Sequence, residues 1–443
     1  YFMEKYYHIV TYGCQMNVHE SEKIAGILRA KGYAACDSAE EADIVVFNTC
    51  CIRENAENHA YGNIGALKKL KRSRPEMLIA VGGCMTQQEG AADRLRKKFP
   101  FVDIIFGTHN LTALGDLIDR KTAQKKAVVE IGREEPVSDE DEDISFRTSY
   151  PNAWVNIMYG CNNFCSYCIV PYVRGRERSR RPDNILSEVN ALLDGGYKEI
   201  TLLGQNVNSY GNDMGGAFSF PGLLNRICER KGKYRLRFMT SNPKDFGEPL
   251  IRSIEKNEQI CHLVHLPVQA GSDRILKLMN RKYTASEYLK KVELLRKIVP
   301  DCQLTSDIMV GFPTETEEDF RATLDLVREV DFSTAFTFVY SPRSGTKAAV
   351  MEGQIPEEVK KERIMRLVEA VNARTREKSS AYLGKTAEIL CEDFDEKKGL
   401  YLGRDEYGRM GYFKSDADVR GRFVKLKIND ASGVSLYGDL VEE

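Results

Sequence analysis

Trp154-Val-Asn-Ile-Met-Tyr-Gly-Cys-Asn-Asn-Phe-Cys-Ser-Tyr-Cys168 is the most informative stretch of this chain. It opens as an apolar run with strand character, Trp154–Met158, and turns at Gly160 into a C-x3-C-x2-C pattern made by Cys161, Cys165 and Cys168. Three thiolates this close cannot enclose a metal tetrahedrally without a fourth protein ligand. A cubane 4Fe–4S cluster takes them differently, with three irons capped by Cys and one left open for a small molecule.

Around this stretch, residues 151 to about 375 alternate strand and helix patterns. Candidate strands are Trp154–Met158, Ile200–Leu203, Arg235–Met239, Leu263–Leu266, Leu304–Met309 and Ala335–Tyr340. Six βα units in series predict a barrel or partial barrel, whose chemistry belongs at the C-terminal strand ends. The cysteine pattern follows the first of these strands. Residues 3–133 also alternate. Tyr7–Tyr12, Ala42–Asn48, Leu78–Val81 and Val102–Phe106 read as strands, and Glu20–Lys31, Asn55–Arg72 and Gln87–Lys97 as helices. The expected fold class is therefore α/β. A small doubly wound parallel sheet with right-handed crossovers precedes the barrel. Residues 134–150 are acidic and contain Pro136, which reads as a linker or mobile loop. Residues 356–380 are charged and helical. From about Lys385, Ala387–Leu390, Gly411–Phe413, Arg422–Ile428 and Gly433–Leu436 predict a small all-β barrel, so the last domain is placed at 376–443.

The N-terminal segment holds a second constellation. Cys14, Cys50 and Cys84 each follow a predicted parallel strand, so all three belong to one sheet edge, where such sheets bind ligands. Buried structural cysteines are the alternative. Three in register on three strands favour a metal site, and three rather than four suit a cluster with one unprotected iron. Cys51 is the nearest candidate for a fourth ligand, but alternation along a strand points it away from Cys50. Cys36, Cys228, Cys261, Cys302 and Cys391 lack partners at ligand spacing and read as packing residues.

The bulk composition constrains less. Lys and Arg number 64 against 65 Asp and Glu, a formal net charge of −1, so any nucleic-acid surface must be local. No apolar run approaches the ~20 residues needed to span a bilayer. The start of the chain shows no basic stretch followed by an apolar one. Twelve cysteines in a chain of 443 residues are then expected to serve metal or redox chemistry in a reducing cytosol rather than disulfides.

The residues around both cysteine sets are more specific than their spacing. They are Gly13-Cys-Gln-Met-Asn17, Asn48-Thr-Cys50, Gly83-Cys-Met85, Gly160–Tyr172, Arg174-Gly-Arg-Glu-Arg-Ser179, Leu203–Gly211, His265–Ser272 and Ile308–Pro313. Together they resemble the radical S-adenosylmethionine (SAM) methylthiotransferases, in the tRNA branch. Tyr167, the aromatic before the third Cys, fits the radical-SAM signature. The resemblance covers nearly the whole chain, in the order cluster domain, radical-SAM barrel, TRAM domain. The sister branch that modifies a ribosomal protein carries Gly-Cys-Pro-Lys-Asn in place of Gly13–Asn17. One departure from the family is Cys51, where Ser is common.

The resemblance implies that Cys161, Cys165 and Cys168 hold the 4Fe–4S cluster that binds and cleaves SAM. Cys14, Cys50 and Cys84 hold an auxiliary 4Fe–4S cluster that supplies or carries sulfur. The implied substrate is a tRNA anticodon stem-loop bearing isopentenyladenosine, and the product carries a methylthio group on carbon 2. One SAM would methylate a sulfur on the auxiliary cluster. A second would yield the 5′-deoxyadenosyl radical, with the N-terminal domain capping the barrel. The resemblance further implies an electron donor such as flavodoxin or ferredoxin, no membrane partner and a monomer. Candidate SAM contacts at the strand ends are Gly204, Gln205, Asn206, Ser241, Asn242, Gln269 and Gly311, with turn chemistry as the competing account.

Arg174–Arg181 is the densest basic run and is expected to hold RNA phosphates or the SAM carboxylate, against the alternative of a salt-bridged loop. Lys68, Lys69, Lys71, Arg72 and Arg74 read instead as a solvated helix end. In the last domain Arg404, Arg409, Lys414, Arg420, Arg422, Lys425 and Lys427 interleave with Tyr401, Tyr407, Tyr412 and Phe413, but acidic residues abound there too, so RNA specificity is expected from shape and a flipped base rather than from charge. The alternatives are a methylthiotransferase for threonylcarbamoyl-adenosine tRNA or a ribosomal protein, a non-catalytic iron–sulfur carrier or redox sensor, and a zinc-binding structural protein.

Overall fold

The computed structural model describes residues 4–51, 54–132 and 145–441. The chain divides into two compact units. The first takes residues up to 148 with 158–162 and 168–181; the second takes 149–157, 163–167 and 182 onward.

The first unit is built on six parallel strands: β1 (Lys5–Thr11), β2 (Tyr33–Ala35), β3 (Ile44–Thr49), β4 (Leu78–Gly83), β5 (Ile104–Phe106) and β6 (Val128–Glu130), in the order β2-β1-β3-β4-β5-β6. All six residues of β3 are buried. A parallel strand covered on both faces has no polar side, so Ile44-Val-Val-Phe47 reads as an unbroken apolar run. Its alternate residues feed two cores. Ile44 and Val46 pack with Ile24, Leu28, Leu117 and Ile118 on one face. Val45 and Phe47 pack with Ala60, Ile64 and Leu95 on the other. Each such side chain contributes roughly 1.5–3 kcal/mol on burial. This is the doubly wound sheet that the sequence predicts.

Some local details differ. The helix expected at 55–72 is two, Glu54–Ala66 and Lys68–Ser73. Leu67 N–H bonds to the Ile64 carbonyl three residues back, a tight turn that ends the first helix. The three-residue strands β2 and β6 are too short to show alternation and are absent from the sequence expectation. In the expected linker, residues 134–144 lie outside the described residues. Its far end is fastened: Phe146 N–H bonds to the Glu22 carbonyl, and Arg147 reaches Glu22 at 3.1 Å.

In the second unit β7 (Asn152–Asn156) begins the barrel. The ribbon of β8 (Met158–Tyr159) and β9 (Arg178–Ser179) belongs to the first unit. Then follow β10 (Glu199–Leu203), β11 (Arg235–Phe238), β12 (Leu263–His265), β13 (Gln303–Val310) and β14 (Thr334–Val339). They form two parallel sheets, β11-β10-β7 and β12-β13-β14. A parallel bridge between Leu236 and Ile260 carries the arc from one to the other. Six βα units thus make a partial barrel.

A 24-residue helix, Glu357–Ser380, leads to the last domain. There β15 (Thr386–Asp395), β16 (Leu400–Arg404), β17 (Met410–Phe413), β18 (Phe423–Ser432) and β19 (Ser435–Leu440) close a barrel in the order β15-β16-β17-β19-β18. Ile389, Cys391, Phe413, Leu426, Ile428 and Leu436 fill it. This small barrel is fastened to the third strand of the larger one. Arg235 donates to the carbonyls of Arg404 at 2.6 Å and Glu388 at 2.8 Å. Arg237 donates to the Glu406 carbonyl at 2.7 Å and pairs with Glu199 at 2.8 Å. Among the described residues no helix is long and apolar enough to cross a membrane.

Candidate active site

The first unit assembles the N-terminal thiols by register. Thr11 pairs with Asn48, and Thr49 with Gly83, so β1, β3 and β4 end together and Cys14, Cys50 and Cys84 follow on one edge. Gly13 has φ +117°, and a Cβ there would fall 2.7 Å from Cys50 Cβ and 3.0 Å from its sulfur. Only glycine lets the loop carrying Cys14 pass this close to Cys50. Asn17 and Asn48 tie the loop down: Asn17 Nδ2 donates to Asn48 Oδ1 and to the Thr49 carbonyl, both at 3.2 Å.

Beyond the end of β3 at Thr49, Cys51 lies with Cys84 in a buried group that does not include Cys50. The Cys51 thiol packs against Cys84, Ile169 and Val173 with no exposure of its own. The Cys51 thiol beside it draws the Cys84 thiol down to about 7, with help from the Arg174 charge and against burial. The same contact pushes Cys51 well above the ordinary thiol range. Among the described residues no group of three His, Cys, Asp or Glu side chains is set to hold a metal ion.

Arg174 corrects the reading of its basic run. Its guanidinium is buried beside Met16 Sδ at 3.0 Å and clasps Glu20 with bonds of 2.6 and 3.2 Å. It interacts electrostatically with Cys84 and Cys14. It therefore serves the thiol site rather than RNA phosphates. Arg180 is buried as well, while Arg176 and Arg181 are exposed. The run reads from sequence as a holder of RNA phosphates or the SAM carboxylate, because charge alone does not reveal which residues turn inward.

The residues of the second cysteine motif are divided between the two units. Cys161 and Cys168 fall in the first unit, and the Cys161 N–H bonds to the Gly175 carbonyl at 3.1 Å. Cys165 falls in the second unit, where Arg281 Nη1 donates to its sulfur at 3.3 Å. Arg281 is anchored by Pro267 and Tyr283 and also faces half-buried Tyr167. Sequence reasoning misses Arg281, since Asn280-Arg-Lys282 reads as ordinary exposed charge. Ser166 and Asn280 pin the loop: Ser166 N–H bonds to the Met279 carbonyl, and Asn280 Nδ2 to that of Phe164.

The expected SAM contacts sort by what surrounds them. Gly204, Gln205 and Asn206 follow β10, and Ser241 and Asn242 follow β11. Asn206 Nδ2 bonds to Asp245 at 2.7 Å, leaving its Oδ1 buried without a protein partner. Ser241 Oγ and both amide atoms of Asn208 are in the same condition. A buried polar atom without a partner costs about 1–3 kcal/mol, so this cluster suits a polar ligand such as SAM. Asn208 is a further candidate that its place in the sequence does not single out. Asn242 caps a short helix through the Lys244 N–H, which is turn chemistry. Gln269 takes φ +72° and joins β13 through bonds to Asp307 and Met309. Gly311 has φ +75°, and the Lys360 stem lies against it: a Cβ would fall 2.4 Å from Lys360 Cγ.

The cysteines outside both sets behave as packing residues. Burial pushes Cys228, Cys261, Cys302 and Cys391 up to about 12. Of the basic residues in the last domain, Arg404 pairs with Glu392 and Arg409 is buried against Ser379, whereas Lys414 and Lys425 are exposed. In the run at 68–74, Lys71 pairs with Asp103 at 2.8 Å and Arg74 with Asp43 at 3.1 Å.

Three family profiles match the chain. Residues 6–107 match the one described as Uncharacterized protein family UPF0004, 155–327 the Radical SAM superfamily, and 380–441 the TRAM domain. The chain is 50% identical over 437 residues to the tRNA-2-methylthio-N(6)-dimethylallyladenosine synthase of Caldicellulosiruptor saccharolyticus, spanning 99% of this chain and 93% of that one. It is 50% identical over 440 residues to the protein of the same name from Clostridium perfringens, spanning 99% and 98%. Among solved structures, the radical S-adenosylmethionine methyltransferase TsrM of Kitasatospora setae superposes with a TM-score of 0.58 at 14% identity, over 79% of this chain and 74% of that one. The cobalamin-dependent radical enzyme OxsB superposes at 0.52 and 12% identity, over 84% and 56%. At such identities the likeness is of fold alone.

Proposed function

Because the chain belongs to the tRNA-2-methylthio-N(6)-dimethylallyladenosine synthase family of radical-SAM methylthiotransferases, we propose that it places a methylthio group on carbon 2 of N6-isopentenyladenosine beside a tRNA anticodon, using two 4Fe–4S clusters. The observation that carries the two-cluster reading is the alignment of β1, β3 and β4, which delivers Cys14, Cys50 and Cys84 to one sheet edge. Each donor set offers the three thiols that a cubane with one open iron takes, and the Glu20 carboxylate near the first is already committed to Arg174. Cys161, Cys165 and Cys168 would hold the SAM-binding cluster, and Cys14, Cys50 and Cys84 the auxiliary one.

When bound, the clusters and SAM supply the radical and sulfur chemistry that an unactivated ring C–H bond requires and no side chain provides. The protein's own residues bind and orient. Asn206, Asn208 and Ser241 offer their unpartnered polar atoms to SAM. Gly204, Gln205, Asn242, Gln269 and Gly311 shape the strand-end loops around it. Arg281 fixes the Cys165 sulfur and Arg174 compensates the thiolates of the first unit. The exposed Lys414 and Lys425 of the TRAM barrel, with the stacked rings of Tyr412 and Tyr437, suit RNA phosphates and bases. The electron donor is of the flavodoxin or ferredoxin kind, and the protein works in the cytoplasm as a monomer.

The test is iron and sulfide content of anaerobically purified protein beside Cys161→Ala and Cys50→Ala variants. About eight irons, falling to about four in each variant, are expected. About four irons lost with Cys161→Ala alone would remove the auxiliary cluster. Mass spectrometry of isopentenylated tRNA after turnover checks the product, and unmodified tRNA with either single-cluster variant is expected.

A further inference from the structure

The sheet β12-β13-β14 carries a further polar cluster, outside both thiol sets. Its strands pair His265 with Thr305 and Asp307 with Phe336. Side chains at paired positions of parallel strands share a face. The other face carries Leu304, Ile308 and Val310, each at most 3% exposed. On the first face Asp307 is half-buried and Phe336 is 53% exposed. A lone exposed apolar ring is ordinary on a protein surface. Phe336, however, stands mid-strand beside a buried histidine, with ring centroids 5.9 Å apart and planes at 69°. His265 is 8% exposed, and its Nδ1 lies 2.9 Å from Thr305 Oγ1. Its Nε2 lies 3.6 Å from Asp307 Oδ1, too far for a hydrogen bond. A donor and an acceptor therefore stand side by side, each with bonding capacity to spare, next to an open aromatic face.

Resting on the reading of the substrate as a tRNA adenosine, we propose that His265, Asp307 and Phe336 seat the flipped target base by its N6/N7 edge, and that Asp307 selects adenine over guanine. The Thr305 hydroxyl donates to His265 Nδ1, so Nε2 carries the ring proton and donates to N7. Asp307 accepts the one N–H that an alkylated N6 retains. Adenine presents this donor and acceptor on that edge, whereas guanine presents two acceptors, N7 and O6. Guanine O6 would face the Asp307 carboxylate and be repelled. Phe336 stacks on the face of the base once it has left its own stack. The imidazole can stand at an angle to the base, since only its N–H must lie in the base plane. Carbon 2 lies across the purine from the N6/N7 edge, so a base held this way leaves it uncovered by the sheet. The three residues make and break no covalent bond; they position the base.

The experiment measures affinity of the full chain, purified anaerobically, for three anticodon stem-loops. The target position carries N6-isopentenyladenosine, its 7-deaza analogue or guanosine. The parent is expected to lose about tenfold in affinity on the 7-deaza analogue. His265→Leu is expected to bind the first two stem-loops equally, because the contact to N7 is already gone. A tenfold loss on 7-deaza that persists in His265→Leu would overturn the contact. Asp307→Asn offers an N–H to guanine O6 and is expected to gain about tenfold for the guanosine stem-loop relative to the parent. Misfolding cannot mimic that gain, and its absence would overturn the selection by Asp307. Phe336→Ala is expected to weaken binding about tenfold and Phe336→Tyr to restore it; equal affinities in the two would remove the stacking. A parent that methylthiolates the first stem-loop yet binds its 7-deaza analogue equally well would overturn this seating alone. A parent that neither binds nor modifies the first stem-loop would overturn the substrate reading and the seating together.

Discussion

At the scale of single residues the decisive group is Arg174. An ion pair as buried as Arg174–Glu20 gains little over an apolar replacement, but breaking it leaves a charge without compensation. Arg174→Gln is expected to cost about 3–5 kcal/mol in denaturant unfolding, with Arg174→Met plus Glu20→Leu recovering most of it. A loss below about 1 kcal/mol in the single variant would mean that the pair is solvated. Gly311 makes a second case, because its sequence context fits both cofactor contact and turn chemistry. Its positive φ and the Lys360 stem favour the turn. Gly311→Ala is expected to destabilise by about 1–3 kcal/mol, measured by the same unfolding assay. SAM affinity of the remaining folded protein should stay within a few-fold of the parent.

At the scale of elements, the helix Glu317–Val330 shows how a cap can fasten a barrel. Thr316 and Asp319 form a reciprocal capping box, and Asp319 also accepts from Ser272 and Arg274. Burial alone would raise the Asp319 carboxyl, but the bonds from Arg274, Ser272 and Thr316 hold it well below the carboxylate range. Its folded value lies below the unfolded value of about 3.9. The stability it contributes is therefore complete above that pH and fades as pH falls through the folded value. Asp319→Asn is expected to lower Tm at pH 7 and to flatten the acid side of the stability profile. An unchanged slope on that acid side, below about pH 4, would show that Asp319 carries no such linkage. Elements of this length are legible in sequence, because six or more residues reveal a period and a Thr-x-x-Asp box marks a start. The strands β2 and β6 are not, since three residues carry no period; β5 and β12, equally short, are read from the longer apolar runs Val102–Phe106 and Leu263–Leu266.

At the scale of the whole molecule, the TRAM barrel has a structural role beside the RNA contact proposed for it. Residues 381–443 supply the carbonyls that Arg235 and Arg237 bond, together with Arg404 near Glu199. Deleting them is expected to lower the melting temperature of the second unit by several degrees, so weaker tRNA binding in that deletion would mix two causes. Lys414→Glu with Lys425→Glu avoids this. It is expected to leave Tm unchanged, weaken tRNA binding and reduce the dependence of log Kd on log salt by about one for each phosphate no longer neutralised. An unchanged slope would exclude these lysines from the RNA surface.

Periodicity, strand-end glycines and ligand spacing are local properties of a chain. They suffice here for the order of three domains, the parallel sheets and the placing of six cysteines after strands. The inward turn of Arg174 to Glu20, the meeting of Cys51 with Cys84, the hold of Arg281 on Cys165 and the burial of Arg409 emerge only in the folded chain. Each depends on partners tens to hundreds of residues away. A long charged or sulfur-bearing side chain looks the same in sequence whether its partner is water or a buried atom.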